Sequence, residues 1–280
     1  MATKQEIQNE IIQAVETVKK ANPMAGSITN TVTINFVANA QLAVGGSAAM
    51  VYLPDEAEFM AKAGGATYIN VGTLLPIYQE TLPHVAKVLH ETGKPWVLDP
   101  VAVGIGSLRT ELLQEFKAFK PTIIRGNASE IIALAGLWAL DGGAEESRVR
   151  GVDATDSVHE AKRAAIALAK WTGGAVAVSG ETDLITDGSI IAISYGGSHF
   201  MERITGAGCS LGGVAAVYAT ATTPFIAAIT ASAVYNVAGK RAELKVDGPG
   251  SFQAQFLDEL YKATAEEIAN NSFDLEEINL

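Results

Sequence analysis

The chain carries a single cysteine, Cys209, inside the stretch ITGAGCSLGG from Ile204 to Gly213. Thr205-Gly206-Ala207-Gly208 precede it, and an Ala-rich apolar pattern that should be helical follows. Glycines let a backbone turn sharply and bring successive N–H groups near a ligand. The first turn of the following helix adds unpaired donors and the positive end of the helix dipole. Together these make an anion site suited to a phosphoryl group in transfer. Cys209 would begin that helix, where a thiol is easiest to ionise. The plain alternatives are a small buried hydrophobe and a helix-entry turn with no ligand.

Three more polar clusters end apolar runs. VLDP ends on Asp99, IIRGNASE carries Arg125, Asn127 and Glu130, and AVSGETD carries Ser179, Glu181 and Asp183. If those runs are parallel strands, their carboxyl ends converge on one crevice, the usual place for ligands in such sheets.

The elements that must position these residues follow from periodicity. ATYINVGTL, KPWVLDPVAV, PTIIRGN and GGAVAVSGETDLITDG are short apolar runs bounded by turn residues, and we read each as a buried parallel strand. Helical period falls between them at Leu75–Thr92, where Pro83 should delay the start or kink the helix, at Arg109–Phe119 and at Ser157–Thr172. Strand–helix alternation of this kind predicts an α/β fold, one mainly parallel sheet with helices on both faces. The polar LDGGAEESRVRGVDATD reads as an excursion, which leaves residues 1–280 as one domain.

Composition narrows the function. A formal net charge of −11 over 280 residues argues against nucleic-acid or anionic-membrane surfaces, which need a basic face. One cysteine forbids an internal disulfide and fits a reducing cytoplasm. The charged, amphipathic N-terminus lacks the apolar core of a signal peptide. Ile204 to Gly239 contains no charge at all, yet it is rich in small residues and is broken by Thr222-Thr223-Pro224. Two closely packed buried helices explain it better than a membrane span.

From about Ile28 to Tyr261 the chain resembles the hydroxyethylthiazole kinase family of the ribokinase-like superfamily. The motifs ITNTVTINFVANAQLAVGGSAAM, INVGTL, LDPVAVG, IIRGNASEI, VSGETDLITDG and ITGAGCSLGG fall in the family's order. RGNASEI together with GAGC is the most specific combination. The resemblance implies a three-layer ribokinase-like sandwich and ATP-dependent phosphorylation of 4-methyl-5-(2-hydroxyethyl)thiazole in thiamine salvage. It also implies a homotrimer with active sites between subunits.

Residue by residue, the resemblance puts Cys209 where most ribokinase-like enzymes keep a catalytic aspartate. The turn Gly206–Cys209, including Ala207 and Gly208, would hold the γ-phosphate and the developing charge, with Gly206 close to the hydroxyethyl arm. Arg125 and Ser179 match ATP-contacting positions, and Asn30 and Met50 match thiazole-contacting ones. Asp99 and Glu130 are the candidates for the Mg²⁺ shell, with waters completing it. Each has a plainer reading: Arg125 as a surface partner of Glu130, Ser179 as a loop hydroxyl, Met50 as core, and the two carboxylates as helix caps. The chain departs from the family at Gly26, near where a histidine precedes ITN, and at Ala102, where a glycine follows DPV. Its four histidines show no ligand spacing. A hydroxymethylpyrimidine kinase and a non-catalytic thiazole or nucleotide binder of the same fold remain as alternatives.

Overall fold

The computed structural model describes residues 2–144 and 157–278. The excursion predicted at 140–156 therefore lies outside the described residues from 145 onward. Strands β1 (Met24–Ile28), β2 (Ser47–Met50), β3 (Ala66–Asn70), β4 (Trp96–Asp99), β5 (Ile123–Asn127) and β6 (Ala175–Ser179) are parallel neighbours. Strands β7 (Asp183–Thr186), β8 (Ile190–Ser194) and β9 (Phe273–Glu277) extend the sheet antiparallel. Among the described residues they form one nine-stranded sheet in the order β2-β1-β3-β4-β5-β6-β7-β8-β9.

The helices are α1 (Lys4–Ala21), α2 (Ile34–Ala43), α3 (Pro54–Ala63), α4 (Tyr78–Thr92), α5 (Ser107–Phe119) and α6 (Ala128–Leu137). They continue with α7 (Lys162–Thr172), α8 (Ala207–Ala219), α9 (Pro224–Glu243), α10 (Pro249–Lys262) and α11 (Ala265–Ala269). Strand side chains alternate between faces, so each strand feeds two cores. Ile69, Leu98, Ile124, Val176 and Val178 pack under α3 to α7. The opposite face offers Ala25, Ala66, Ala175, Ala177 and Ala192 to α1, α2 and α8 to α11. Those alanines are short enough for α8 and α9 to lie close against the strands, which explains the charge-free run. Pro224 opens α9 at a first-turn position where its missing N–H costs nothing. Among the described residues no helix is long and apolar enough to cross a membrane.

One expectation fails. GGAVAVSGETDLITDG is two strands, paired antiparallel through Val176↔Thr186, Ala177↔Ile185 and Val178↔Leu184. Ser179-Gly180-Glu181-Thr182 is turn chemistry inside the run, and it outweighs the continuity of apolar residues on either side. Helix α4 does start late, at Tyr78, and continues through Pro83.

Candidate active site

Alternation places Tyr68 and Asn70 of β3, Asp99 of β4, Arg125 of β5 and Ser179 of β6 on the face that carries α8. Register aligns them at the carboxyl ends of their strands, with Asn70 beside Asp99 and Asn127 beside Ser179. Asp99 is fully buried. Its Oδ2 accepts from the Tyr68 hydroxyl at 2.8 Å, Asn70 Nδ2 at 2.9 Å and Arg125 Nη1 at 3.5 Å. Among the described residues its Oδ1 has no hydrogen-bond partner. Burial raises the Asp99 pKa, and Arg125, Tyr68 and Asn70 oppose that rise.

Arg125 is itself only 8% exposed, and its Nε donates to Ser179 Oγ at 3.3 Å. Burial works against its charge, but Asp99 and Glu130 more than compensate and hold the guanidinium protonated. The guanidinium lies against Gly208, where an added Cβ would stand 2.5 Å from Nη2. A side chain at 208 would therefore displace the arginine. Arg125 thus pairs with Asp99, not with Glu130 at a surface, and Ser179 serves the arginine instead of a loop backbone.

Glu130 is the third residue of α6 and completes a capping box with Asn127. Its Oε2 accepts from the Asn127 N–H at 2.8 Å, and its Oε1 from the Ala102 N–H at 3.4 Å. The carboxyl so ties the loop after β4 to α6. Burial, then the neighbouring Asp99 charge, push its pKa up to about 7, with Arg125 pulling the other way. Ala102 adopts φ 60°, the left-handed region, so alanine here carries a strain that glycine would avoid.

Gly206 caps α8 with φ 93°, and a Cβ on it would stand 2.9 Å from Thr33. Both the backbone conformation and the close approach thus require glycine there. Ala207, Gly208 and Cys209 form the first turn, whose N–H groups have no partner within the helix. Cys209 is half-buried, and its Sγ accepts from Asn30 Nδ2 at 3.5 Å. The same amide donates to Asn70 Oδ1 at 2.9 Å. A polar chain therefore runs from Cys209 through Asn30, Asn70 and Tyr68 to Asp99. The expectation of an easily ionised thiol is overturned. Burial and the Asp99 charge push the Cys209 pKa up, and Arg125, Thr33 and Asn30 only partly offset them.

Met50 ends β2, the outermost strand, and is half-buried against the α8 core. With Asp55, Phe59 and Met60 it lines an open hollow, with two strands, β1 and β3, between it and β4. Asp183 opens β7 and bonds Asn236 of α9 at 3.1 Å, while Glu181 is exposed in the turn. His199 pairs with Glu243 at 2.9 Å. Sequence reasoning missed Tyr68, Asn70 and Thr33. The period-two spacing of two polar side chains in ATYIN was the available signal for the first pair.

A mainly parallel sheet between helices, with a glycine turn and a buried Asp–Arg pair at the strand ends, gives this chain a ribokinase-like fold. A ribokinase-like superfamily protein from Enterococcus faecalis shares this fold at a TM-score of 0.62, with 14% identity, over 93% of this chain and 95% of that one. The sequence pattern of the hydroxyethylthiazole kinase family matches residues 15–266, and the chain belongs to that family. A hydroxyethylthiazole kinase of Bifidobacterium longum (strain DJO10A) is 52% identical over 283 residues, covering 95% of this chain and 90% of that protein. The solved structure of a hydroxyethylthiazole kinase protein from Pyrococcus horikoshii OT3 superimposes with a TM-score of 0.84 at 30% identity. It covers 97% of this chain and 100% of its own.

Proposed function

We propose that this protein transfers the γ-phosphoryl group of ATP to the hydroxyl of 4-methyl-5-(2-hydroxyethyl)thiazole, giving the phosphate ester and ADP, as a step of thiamine salvage. One observation carries the reading beyond the family: the first turn of α8 seats Cys209 beside the Asp99–Arg125 pair. Donors for a phosphoryl group and an acceptor for an alcohol proton thus share one corner.

In this reading the N–H groups of Ala207, Gly208 and Cys209 bind the γ-phosphate, and Arg125, steadied by Ser179, neutralises phosphate charge. The alcohol oxygen forms the new bond to phosphorus as the bond to the β-phosphate oxygen breaks, and ADP leaves with that electron pair. The alcohol proton passes toward Sγ or a phosphoryl oxygen. A thiol with a raised pKa is chiefly an orienting acceptor, which suits a loose transition state that asks little of a base. Asn30 and Met50 border the side from which the thiazole enters.

Mg²⁺ fits the donor set. Asp99 Oδ1 is a buried carboxylate oxygen without a partner among the described residues, the type a hard cation takes, and Glu130 lies close enough for the two charges to be felt. Asp99 and Glu130 would hold the ion, with waters and phosphate oxygens completing its shell; among the described residues no group of three or more His, Cys, Asp or Glu could hold a metal. Bound there, it would neutralise charge on the transferring group.

We also infer one kinase domain over the whole chain, a cytoplasmic location and a homotrimer. Exposed Phe59 and Leu53 beside the hollow at Met50 supply apolar surface for a neighbouring subunit. ADP release from Mg-ATP with and without the thiazole, with the product identified by mass, tests the reaction. Thiazole binding without ADP release would mark a sensor, and preference for the hydroxymethylpyrimidine would reassign the substrate.

A further inference from the structure

Thr33 is the N-cap residue of α2, a place where threonine ordinarily accepts a hydrogen bond from a first-turn N–H. Its side chain makes no such bond. The residue is only 4% exposed, and among the described residues its Oγ1 has no partner in ordinary hydrogen-bonding geometry. Folded proteins seldom keep a buried hydroxyl unpaired, because it is destabilising and valine fills the same space without it.

The surroundings say what the hydroxyl faces. Asn30 Oδ1 accepts from the Thr33 N–H at 3.2 Å and so fixes the backbone that aims the side chain. The Thr33 Cβ and Cγ2 abut Gly206, each 2.9 Å from where a Cβ on that glycine would stand. The hydroxyl is also near enough to Cys209 to favour its thiolate. Helix α2 packs on α8, so the loop carrying Thr33 and the glycine turn form one wall. The neighbouring Asn30 amide already has both hydrogens committed, one to Asn70 Oδ1 and one to Cys209 Sγ. Among the described residues the Thr33 hydroxyl makes no bond of ordinary geometry and is left facing the Cys209 corner.

We propose that Thr33 is a further contact for the acceptor alcohol, its hydroxyl donating a hydrogen bond to the oxygen that attacks phosphorus. This rests on the kinase reading above. An alcohol seated between Gly206 and Cys209 would direct its proton toward Sγ and have two lone pairs left. Thr33 would hold one and leave the other aimed at the γ-phosphorus. A primary hydroxyl on a short arm fits this corner, because Gly206 offers no side chain to obstruct it.

The test compares Thr33→Val, Thr33→Ser and Thr67→Val in steady-state kinetics with varied thiazole alcohol at saturating Mg-ATP. Thermal stability and ADP affinity by calorimetry are measured alongside. Thr67 is the control, since its Oγ1 is equally buried and, among the described residues, equally unpaired, but it projects from β3 toward the opposite face. Thr33→Val should lower kcat/KM for the alcohol about tenfold, the effect of one neutral hydrogen bond. Its melting temperature should hold or rise, and ADP affinity should not change. Thr33→Ser should stay within about threefold of the parent, and Thr67→Val should match it. Parental kcat/KM in Thr33→Val overturns the proposal. So does an equal loss of activity in Val and Ser variants together with lost stability, which would make Thr33 a packing residue. A parent protein that phosphorylates no alcohol overturns the kinase reading and this proposal with it.

Discussion

At the scale of single residues, the site is organised around which atoms are spoken for. Asp99 Oδ2 gathers donors from Tyr68, Asn70 and Arg125, while Oδ1 is left over. Cys209 is held the same way, its sulfur bonded by Asn30 and its ionisation discouraged by burial and by Asp99. A base that is mostly protonated contributes little as a base, so Cys209→Ser should keep substantial turnover. We expect kcat to fall by no more than roughly 10², the low end for general-base contributions, with the KM for ATP unchanged. A kcat at background would instead make the thiolate essential. Cys209, Arg125, Asp99 and Ser179 were legible because each ends an apolar run at a strand end or a glycine turn. Tyr68 and Thr33 were not. A tyrosine inside an apolar strand looks like core until its hydroxyl is seen to meet a carboxylate on the neighbouring strand, two residues further along the register. A threonine at a helix start looks like a cap until its side chain is seen to decline the role.

At the scale of elements, the departure from the sequence reading is the β6–β7 hairpin, and it has a consequence for Asp183. Because the chain reverses at Ser179–Thr182, Asp183 opens β7 as a buried carboxyl bonded to Asn236 of α9. Asn236 in turn reaches Ser194 of β8 at 3.0 Å, which ties the hairpin to the helix. Burial pushes the Asp183 pKa up to about 6 from 3.8, with Asn236 and the Gly180 N–H opposing. The folded state therefore holds a proton that the unfolded chain has lost between about pH 4 and pH 6, and stability falls as pH rises through that window. Asp183→Asn can still accept from Asn236 and has no charge to bury. It should be more stable than the parent above pH 6, by on the order of 2 kcal/mol, and equal to it near pH 4. Urea melts at pH 4.5 and pH 7.5 would decide; a variant less stable at the higher pH would mean the charged form is wanted. Helix α8 allows a second test. A Cβ at Gly212 would stand 2.4 Å from the Tyr68 ring. Gly212→Ala should cost about 1–3 kcal/mol by overpacking, and the melting temperature reads it directly. Strand–helix alternation gave the layers away in the sequence. Strand direction in the second half was hidden because a tight turn occupies too few residues to interrupt an apolar run.

At the scale of the whole molecule, one sheet carries residues from Met24 to Glu277, and the strand ends that bear Asp99, Arg125 and Ser179 are adjacent rungs of it. Anything that binds across those ends holds β4, β5, β6 and α8 together. Nucleotide should accordingly stabilise the entire chain by mass action, about 2.7 kcal/mol at a hundredfold excess over Kd. A calorimetric scan with ADP should move a single transition upward as a unit. A scan in which only one of two transitions moves would separate the nucleotide site from the remainder of the fold.

The alanine floor beneath α8 and α9 also sets how freely this protein can drift. Where these helices meet the strands and one another through small groups, an extra carbon has nowhere to go: at Gly213 an added Cβ would already stand 2.8 Å from Val37 of α2. The stretch from Ala207 to Gly239 is chemically the blandest in the chain, with Cys209 its one reactive group. In a saturation library it should nonetheless be among the least forgiving segments, rejecting conservative enlargements that the roomier Ile, Leu and Val face would absorb.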